Sequence, residues 1–283
     1  MTDISPTTAV FAVLPSRAAL TVTGPDWRDF LQGLLTQDVV TLAPGEIRFA
    51  ALLTPQGRLL FDLFLVGRED GCLIDVAAAH RAALLQRLRM YRLRAKVEIA
   101  EDAGEVRALW GADAAPPGWS LDPRAPDLGW RGYPGETTAA EGVEATESDY
   151  NAHRLALGLP GPDDWGHDKT YPIEANFDLL AGIDFRKGCF VGQETTSRMK
   201  RRGTVKSRMA PIAVDGAPPA AGAALLAGGL RAGQVTSAGE AGAMALLRLD
   251  RLAEGDLTLE DGRAWRVTWP TWMAGVTPSE SPD

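Results

Sequence analysis

From Arg208 onward the chain changes character, and this limits the fold more than any other feature. Pro211, Pro218 and Pro219 punctuate it, and the β-prone runs near Leu225 and over 231–236, 244–249, 257–259 and 265–269 are all short. Short strands with frequent turns predict a small β-barrel or sandwich. The preceding part mixes helical and strand patterns. Trp27, Phe30, Leu31, Leu34 and Leu35 fall at i, i+3, i+4, i+7 and i+8, an apolar stripe on a helix opened by Gly24-Pro25-Asp26. Residues 47–53 and 59–66 are β-rich and joined by Thr54-Pro55-Gln56-Gly57, which predicts a hairpin with a type I turn. Strands are expected over 19–23 and 71–76, and helices over 78–92 and 146–157. The Ala-, Pro- and Gly-rich stretch 112–126 reads as an irregular connection, and 1–8 and 275–283 as loose tails. The sum is an α+β protein with a boundary near 207, dividing it into 1–207 and 208–283.

A formal charge of −8 and a pI near 5 exclude general nucleic-acid affinity and leave only local basic runs for such a role. The two cysteines, Cys72 and Cys189, lie far apart and form no disulfide framework, as expected in a reducing compartment. The first apolar run is too short for a signal sequence. No segment approaches the roughly 18 apolar residues of a membrane span, so a cytoplasmic protein is expected. His80, His153 and His167 form no metal-binding pair and neither cysteine has a C-x-x-C partner, so no intrinsic metal is expected.

The chemistry concentrates in 185–208. Cys189 stands between Gly188 and Phe190, ahead of a helix expected to start near Gly192. Arg186 and Lys187 precede it, and Arg198, Lys200, Arg201, Arg202, Lys206 and Arg208 follow. A thiol at a helix N-terminus among cations ionises more readily than a free one. The competing reading is a small buried hydrophobe in a strand leading into that helix. Cys72, with only Asp70 as a charged neighbour, reads as inert.

Lys187-Gly188-Cys189-Phe190-Val191-Gly192-Gln193-Glu194 resembles the signature of the YgfZ-type folate-binding proteins, relatives of the glycine-cleavage T-protein that act in iron–sulfur cluster maintenance. Phe30 to Val39, Tyr91 to Val97 and the pattern from Arg154 through Gly158-Leu159-Pro160 to Pro172-Ile173-Glu174-Ala175 resemble the same superfamily. The resemblance implies an aminomethyltransferase-like folate-binding fold with a small C-terminal β-barrel. It implies tetrahydrofolate or a derivative as cofactor, gripped by Glu174, since a carboxylate accepts paired hydrogen bonds from a pterin edge. Asp38, Asp62, Lys187 and Arg198 are further folate-binding candidates, and Cys189 is the catalytic or cluster-ligating thiol. One cysteine cannot hold a cluster alone, because clusters usually take four ligands, so any cluster would be shared with a partner. Where the aminomethyltransferases carry an acidic pair, this chain has Phe61-Asp62.

Three readings follow. The first is a tetrahydrofolate-binding accessory factor for iron–sulfur cluster assembly or repair, working with assembly proteins or client enzymes. The second is a folate-dependent one-carbon transferase acting on protein or tRNA. The third is a non-enzymatic module with Cys189 buried and the basic run docked on an acidic partner. The run 198–208 could contact tRNA phosphates, a folate polyglutamate tail or an acidic surface.

Overall fold

The computed structural model describes residues 9–114, 116–135, 137–138, 140–203 and 205–276. The tail 1–8 and most of the expected tail 275–283 lie outside them. The chain forms two compact units. The first holds the residues through Leu53, Leu60–Tyr150 and Leu180–Val191; the second holds Thr54–Leu59, Asn151–Leu179 and the residues from Gly192 on. A strand begins at Ser207, and the unit containing it also takes in two earlier segments and the residues from Gly192 to that strand.

In the first unit one five-stranded sheet runs Ile47–Leu53, Leu59–Arg68, Gly71–Ala77, Arg17–Thr23, Glu98–Asp102 in spatial order. The strand Gly71–Ala77 is buried throughout, as a central strand requires. The expected hairpin turn is present, with the Gly57 N–H donating to the Thr54 carbonyl at 2.8 Å. The first helix is shorter than its apolar stripe, covering only Trp27–Gln32. Leu34 and Leu35 are still buried, Leu35 through an isolated bridge to Leu52, so the stripe records burial beyond the helix. The helix Arg81–Arg92 lays Leu84, Leu85 and Leu88 into the same core.

A second five-stranded sheet follows the order Val143–Glu144, Val10–Val13, Arg107–Trp110, Trp130–Gly132, Trp119–Leu121. The stretch 112–126 is therefore not merely a connection. It supplies an edge strand, and Trp119, Asp122 and Ala125 are buried. Sequence pattern missed it because the strand is only three residues long and part of what is buried beside it is ionic.

Arg17 binds Asp62 at 2.7 Å and Asp75 at 2.6 Å from one sheet, while Arg131 of the other reaches Asp75 at 2.5 Å. Arg124 pairs with Asp122 at 2.8 Å, and the Tyr133 hydroxyl accepts from Arg131. The three guanidinium groups surround the Phe64 ring, the closest at 3.9 Å from its centroid. Three arginines balance three aspartates, so the cluster is neutral and joins the two sheets. Burial raises the Asp122 carboxyl, but Arg124 outweighs it and holds it below the usual range. Leaving one such charge unpaired costs about 3–5 kcal/mol, whereas exposed pairs are worth less than about 1 kcal/mol. Arg131→Met is expected to lower stability in urea denaturation by about the first figure. Arg107→Met, whose partner Glu105 is exposed, should stay within about the second.

The second unit is built on a six-stranded antiparallel sheet in the order Leu257–Leu259, Ala224–Ala227, Leu230–Gly239, Gly242–Arg248, Ser207–Val214, Trp265–Val267. Its two edges meet: Thr258 bridges Ala264, and the Leu259 N–H donates to the Arg263 carbonyl at 2.8 Å, closing the sheet into a barrel. Ala210, Ile212, Leu225, Leu247 and Trp265 fill it, and the indole N–H of Trp265 is satisfied by the carbonyls of Leu226 and Thr258.

Candidate functional site

Cys189 is exposed, in a loop with no regular secondary structure, whereas Cys72 is buried in the first unit's sheet. This removes both the reading of Cys189 as a buried strand residue and the module with a buried thiol. The helix after it is Gln193–Arg202 with Gly192 as N-cap, so the thiol precedes the cap by three residues. Burial pushes the Cys72 thiol up to about 12, leaving it a neutral core residue.

The cysteine loop is fastened on both sides to the segment ending the first helix. The Lys187 ammonium donates to the carbonyls of Gln32, Leu35 and Gln37 at 2.7–2.8 Å. The Thr36 hydroxyl donates to the Gly182 carbonyl at 2.6 Å, and the Asp184 N–H to the Thr36 carbonyl at 3.0 Å. On the far side Phe190 is buried and the Val191 N–H bonds the Gly33 carbonyl at 3.2 Å. Gly188 and Cys189 are the exposed residues between these anchors. Burial pushes the Lys187 amine down to about 8, with Asp38 and Asp184 opposing it. The unfolded chain, at an ordinary 10.5, therefore holds the proton more tightly between those values. Stability linked to this group rises rather than falls as pH climbs through that window.

Asp38 belongs to the same assembly. It accepts from Gln32 at 2.8 Å, from the backbone and hydroxyl of Thr41, and from Arg48 at 3.2 Å. Burial raises its carboxyl, but these bonds outweigh it and bring it down to about 2. Asp62 is placed elsewhere, in the buried ionic cluster on Arg17, and Phe61 beside it packs edge-on against His80. Lys187, Asp38 and Cys189 thus share one assembly, from which Asp62 is separate. Thr36 and Gln37 hold this loop through hydrogen bonds, and sequence reasoning did not single them out although they lie in the resembling segment 30–39.

In the second unit Glu174 is half-buried. One carboxylate oxygen accepts from the Tyr171 N–H at 2.9 Å. Burial raises its pKa, and the Tyr171 N–H and Arg58 oppose this. Arg58 stacks over the Tyr171 ring at 5.1 Å. The loop is clamped to the barrel strand, with the Met209 N–H donating to the Glu174 carbonyl and the buried Asn176 amide to the Met209 carbonyl. Gly57 sits against the helix Gln193–Arg202 with φ +86°. A Cβ there would lie 2.9 Å from Cβ of Thr195, so only glycine fits.

Arg198 is exposed with no ion-pair partner among the described residues. The run 198–208 is not a continuous basic surface. Arg208 is buried, bound to Asp178 through two bonds at 2.9 Å, and Lys200 lies 3.5 Å from the same aspartate.

Comparison with known proteins places this architecture. A crystal structure of the glycine cleavage system aminomethyltransferase T from Bartonella henselae matches 94% of this chain and 86% of that one, with a TM-score of 0.73 at 19% identity. The fold is therefore aminomethyltransferase-like, and residues 206–275 match the CAF17 C-terminal β-barrel domain. Among the sequence relatives is the mitochondrial iron–sulfur cluster assembly factor IBA57 homolog of Aspergillus clavatus, 30% identical over 98% of this chain and 80% of the relative. Those of Coccidioides immitis and Mycosarcoma maydis are 34% and 32% identical over 70% and 77% of this chain. The chain spans 55% and 61% of the lengths of these last two. The chain belongs to the IBA57 family of iron–sulfur cluster assembly factors. The cytoplasmic placement is overturned by these relatives, which are named mitochondrial. Unpaired cysteines report a reducing environment, which is not particular to the cytoplasm. No helix among the described residues is long and apolar enough to cross a membrane.

The geometry sets an order of thiol reactivity. Cys189 is expected to react with a maleimide in the native protein within minutes, and Cys72 only on unfolding, as mass spectrometry of the digested adduct would show. Equal rates would contradict the placement of the two thiols.

Proposed function

We propose that the protein is a YgfZ-type, tetrahydrofolate-binding accessory factor for iron–sulfur cluster assembly or repair, with Cys189 as its working thiol. The observation that carries this reading is the presentation of Cys189. A family member of this kind needs a thiol that reaches a cluster without its own loop collapsing, and here exposure is combined with anchors on both sides. Cys189 can supply one thiolate ligand to a cluster, its cargo, while a partner protein or small thiols complete the coordination.

The residues around Glu174 fit a pterin. One oxygen is oriented by the Tyr171 N–H, and the other has no partner among the described residues and is free to accept from the pterin amino and ring N–H edge. Arg58, stacked on Tyr171, adds a cation beside it. Bound folate would supply a one-carbon unit or a reduced pterin; the protein's part is to grip and orient it. Lys187, committed to three carbonyls, and Asp62, committed to Arg17, act in this reading as supports rather than folate contacts. The transferase alternative needs a carboxylate free to take a proton near the reacting nitrogens. At the corresponding position Phe61 is a core residue and Asp62 is neutralised by Arg17, which favours the accessory role.

Calorimetric titration with tetrahydrofolate tests the pterin site. Wild type is expected to bind, and Glu174→Gln to bind about tenfold to a hundredfold more weakly, as the loss of a charge-assisted hydrogen bond implies. An unchanged melting temperature would show that the variant is folded. Absence of binding by wild type, or equal binding by both, would count against folate in this protein.

A further inference from the structure

In the first unit, the last turns of the helix Arg81–Arg92 and its exit carry a surface apart from the Cys189 loop described above. Between residues 81 and 97 stand Arg81, Arg87, Arg89, Arg92, Arg94 and Lys96, and no aspartate or glutamate, in a chain whose net charge is −8. Arg81 is paired with Glu101 at 2.9 Å, and Arg92 reaches the Val97 carbonyl. Asp26, the nearest acidic contact, bonds the backbone N–H of Lys96 rather than its ammonium. Arg87, Arg89, Arg94 and the Lys96 ammonium have no partner among the described residues, and all but the half-buried Arg87 are exposed. Among these cations stand two large apolar side chains, Met90 at 62% and Leu93 at 88% exposure. The buried stripe Leu84, Leu85, Leu88 faces the core, so Met90 is on the outward side.

We propose that this helix end is a docking surface for an acidic protein partner, with Met90 and Leu93 entering an apolar depression and Arg89, Arg92 and Arg94 pairing with carboxylates around it. Uncompensated cations on a net-acidic protein steer encounter with an acidic surface and repel a second copy at the same patch. The composition distinguishes among anionic partners. Arginine and methionine are enriched at protein–protein interfaces while lysine is depleted, and here five of the six cations are arginine. A phosphate backbone would use the charges but leave Met90 and Leu93 exposed. The helix is about 18 Å long by its rise per residue, so the contact belongs to the transient class that buries below about 1,200 Å² in total.

The test uses the full chain in its native host. A photo-crosslinking amino acid replaces Leu93, a second copy of the protein carries it at Gln234 of the barrel as control, and adducts are identified by mass spectrometry. The partner captured only at position 93 is then purified, and its affinity is measured by calorimetry across a salt series. The expected result is a partner with an acidic patch, whose affinity falls steeply with salt and at least tenfold in Arg89→Glu/Arg94→Glu. Reversal of the facing carboxylates to arginine should restore it. Leu93→Ser should weaken binding without altering the salt slope. The proposal is overturned if no protein is captured at position 93, if the charge-reversed variant binds its partner like wild type, or if the position crosslinks only to RNA or lipid. Melting temperatures within a few degrees of wild type would keep a folding defect from imitating the expected loss.

Discussion

One ammonium group determines where the cysteine can stand. Lys187 is turned inward onto three backbone carbonyls at and just after the end of the first helix, and Cys189 two residues later faces solvent. The Gln32 carbonyl is one of the acceptors that the helix terminus leaves unsatisfied, where a lysine also complements the negative end of the helix dipole, and those of Leu35 and Gln37 belong to the segment that follows. Phe190 then returns the chain to the core. The exposed thiol is the part of the loop that this clasp leaves outside. The clasp in turn needs a fixed floor. Within the same unit that floor is a sheet whose central strand is buried along its whole length and joined to a second sheet by six balanced charges.

Much of the architecture was legible because it followed hydrophobic periodicity and turn chemistry. The short runs after Arg208 became a closed barrel, Thr54-Pro55-Gln56-Gly57 became the turn of a hairpin, and the stripe from Leu84 to Leu88 became the buried face of a helix. The failures share a cause. The stretch 112–126 was misread because Asp122 and Arg124 look like solvent residues, and only the fold shows Arg131 and Tyr150 beside them. Asp62 looked available for the same reason. Lys187 and Arg208 counted as free cations in the sequence, yet one holds carbonyls and the other holds Asp178. Arg208 and Asp178 are 30 residues apart and Arg17 and Asp62 are 45, and a charge that pairs at such a separation has no local signature. The motif around Cys189 was visible; its support, Thr36 and Gln37, was visible only as a resembling segment about 150 residues away.

Two chemistries are thereby organised in separate units, a thiol in the first and a carboxylate with one free oxygen beside a stacked arginine in the second. The fold that carries both is aminomethyltransferase-like, and the chain belongs to a family of iron–sulfur cluster assembly factors, within which the proposed reading gives the exposed thiol its use. Where the resemblance to the aminomethyltransferases implies an acidic pair, this chain has Phe61 in the core and Asp62 paired with Arg17.

The central claim is that the thiol of Cys189 does the work, and one measurement tests it most directly. In a cell lacking this protein, the activity of an endogenous [4Fe–4S] enzyme is read with wild type or Cys189→Ala supplied at matched levels, and with Cys72→Ala as a control for thiol loss elsewhere. Restoration by wild type and by Cys72→Ala, but not by Cys189→Ala, is the predicted result. Full restoration by Cys189→Ala would contradict the account, because an exposed loop held in place around a dispensable side chain would then have no cluster chemistry to serve.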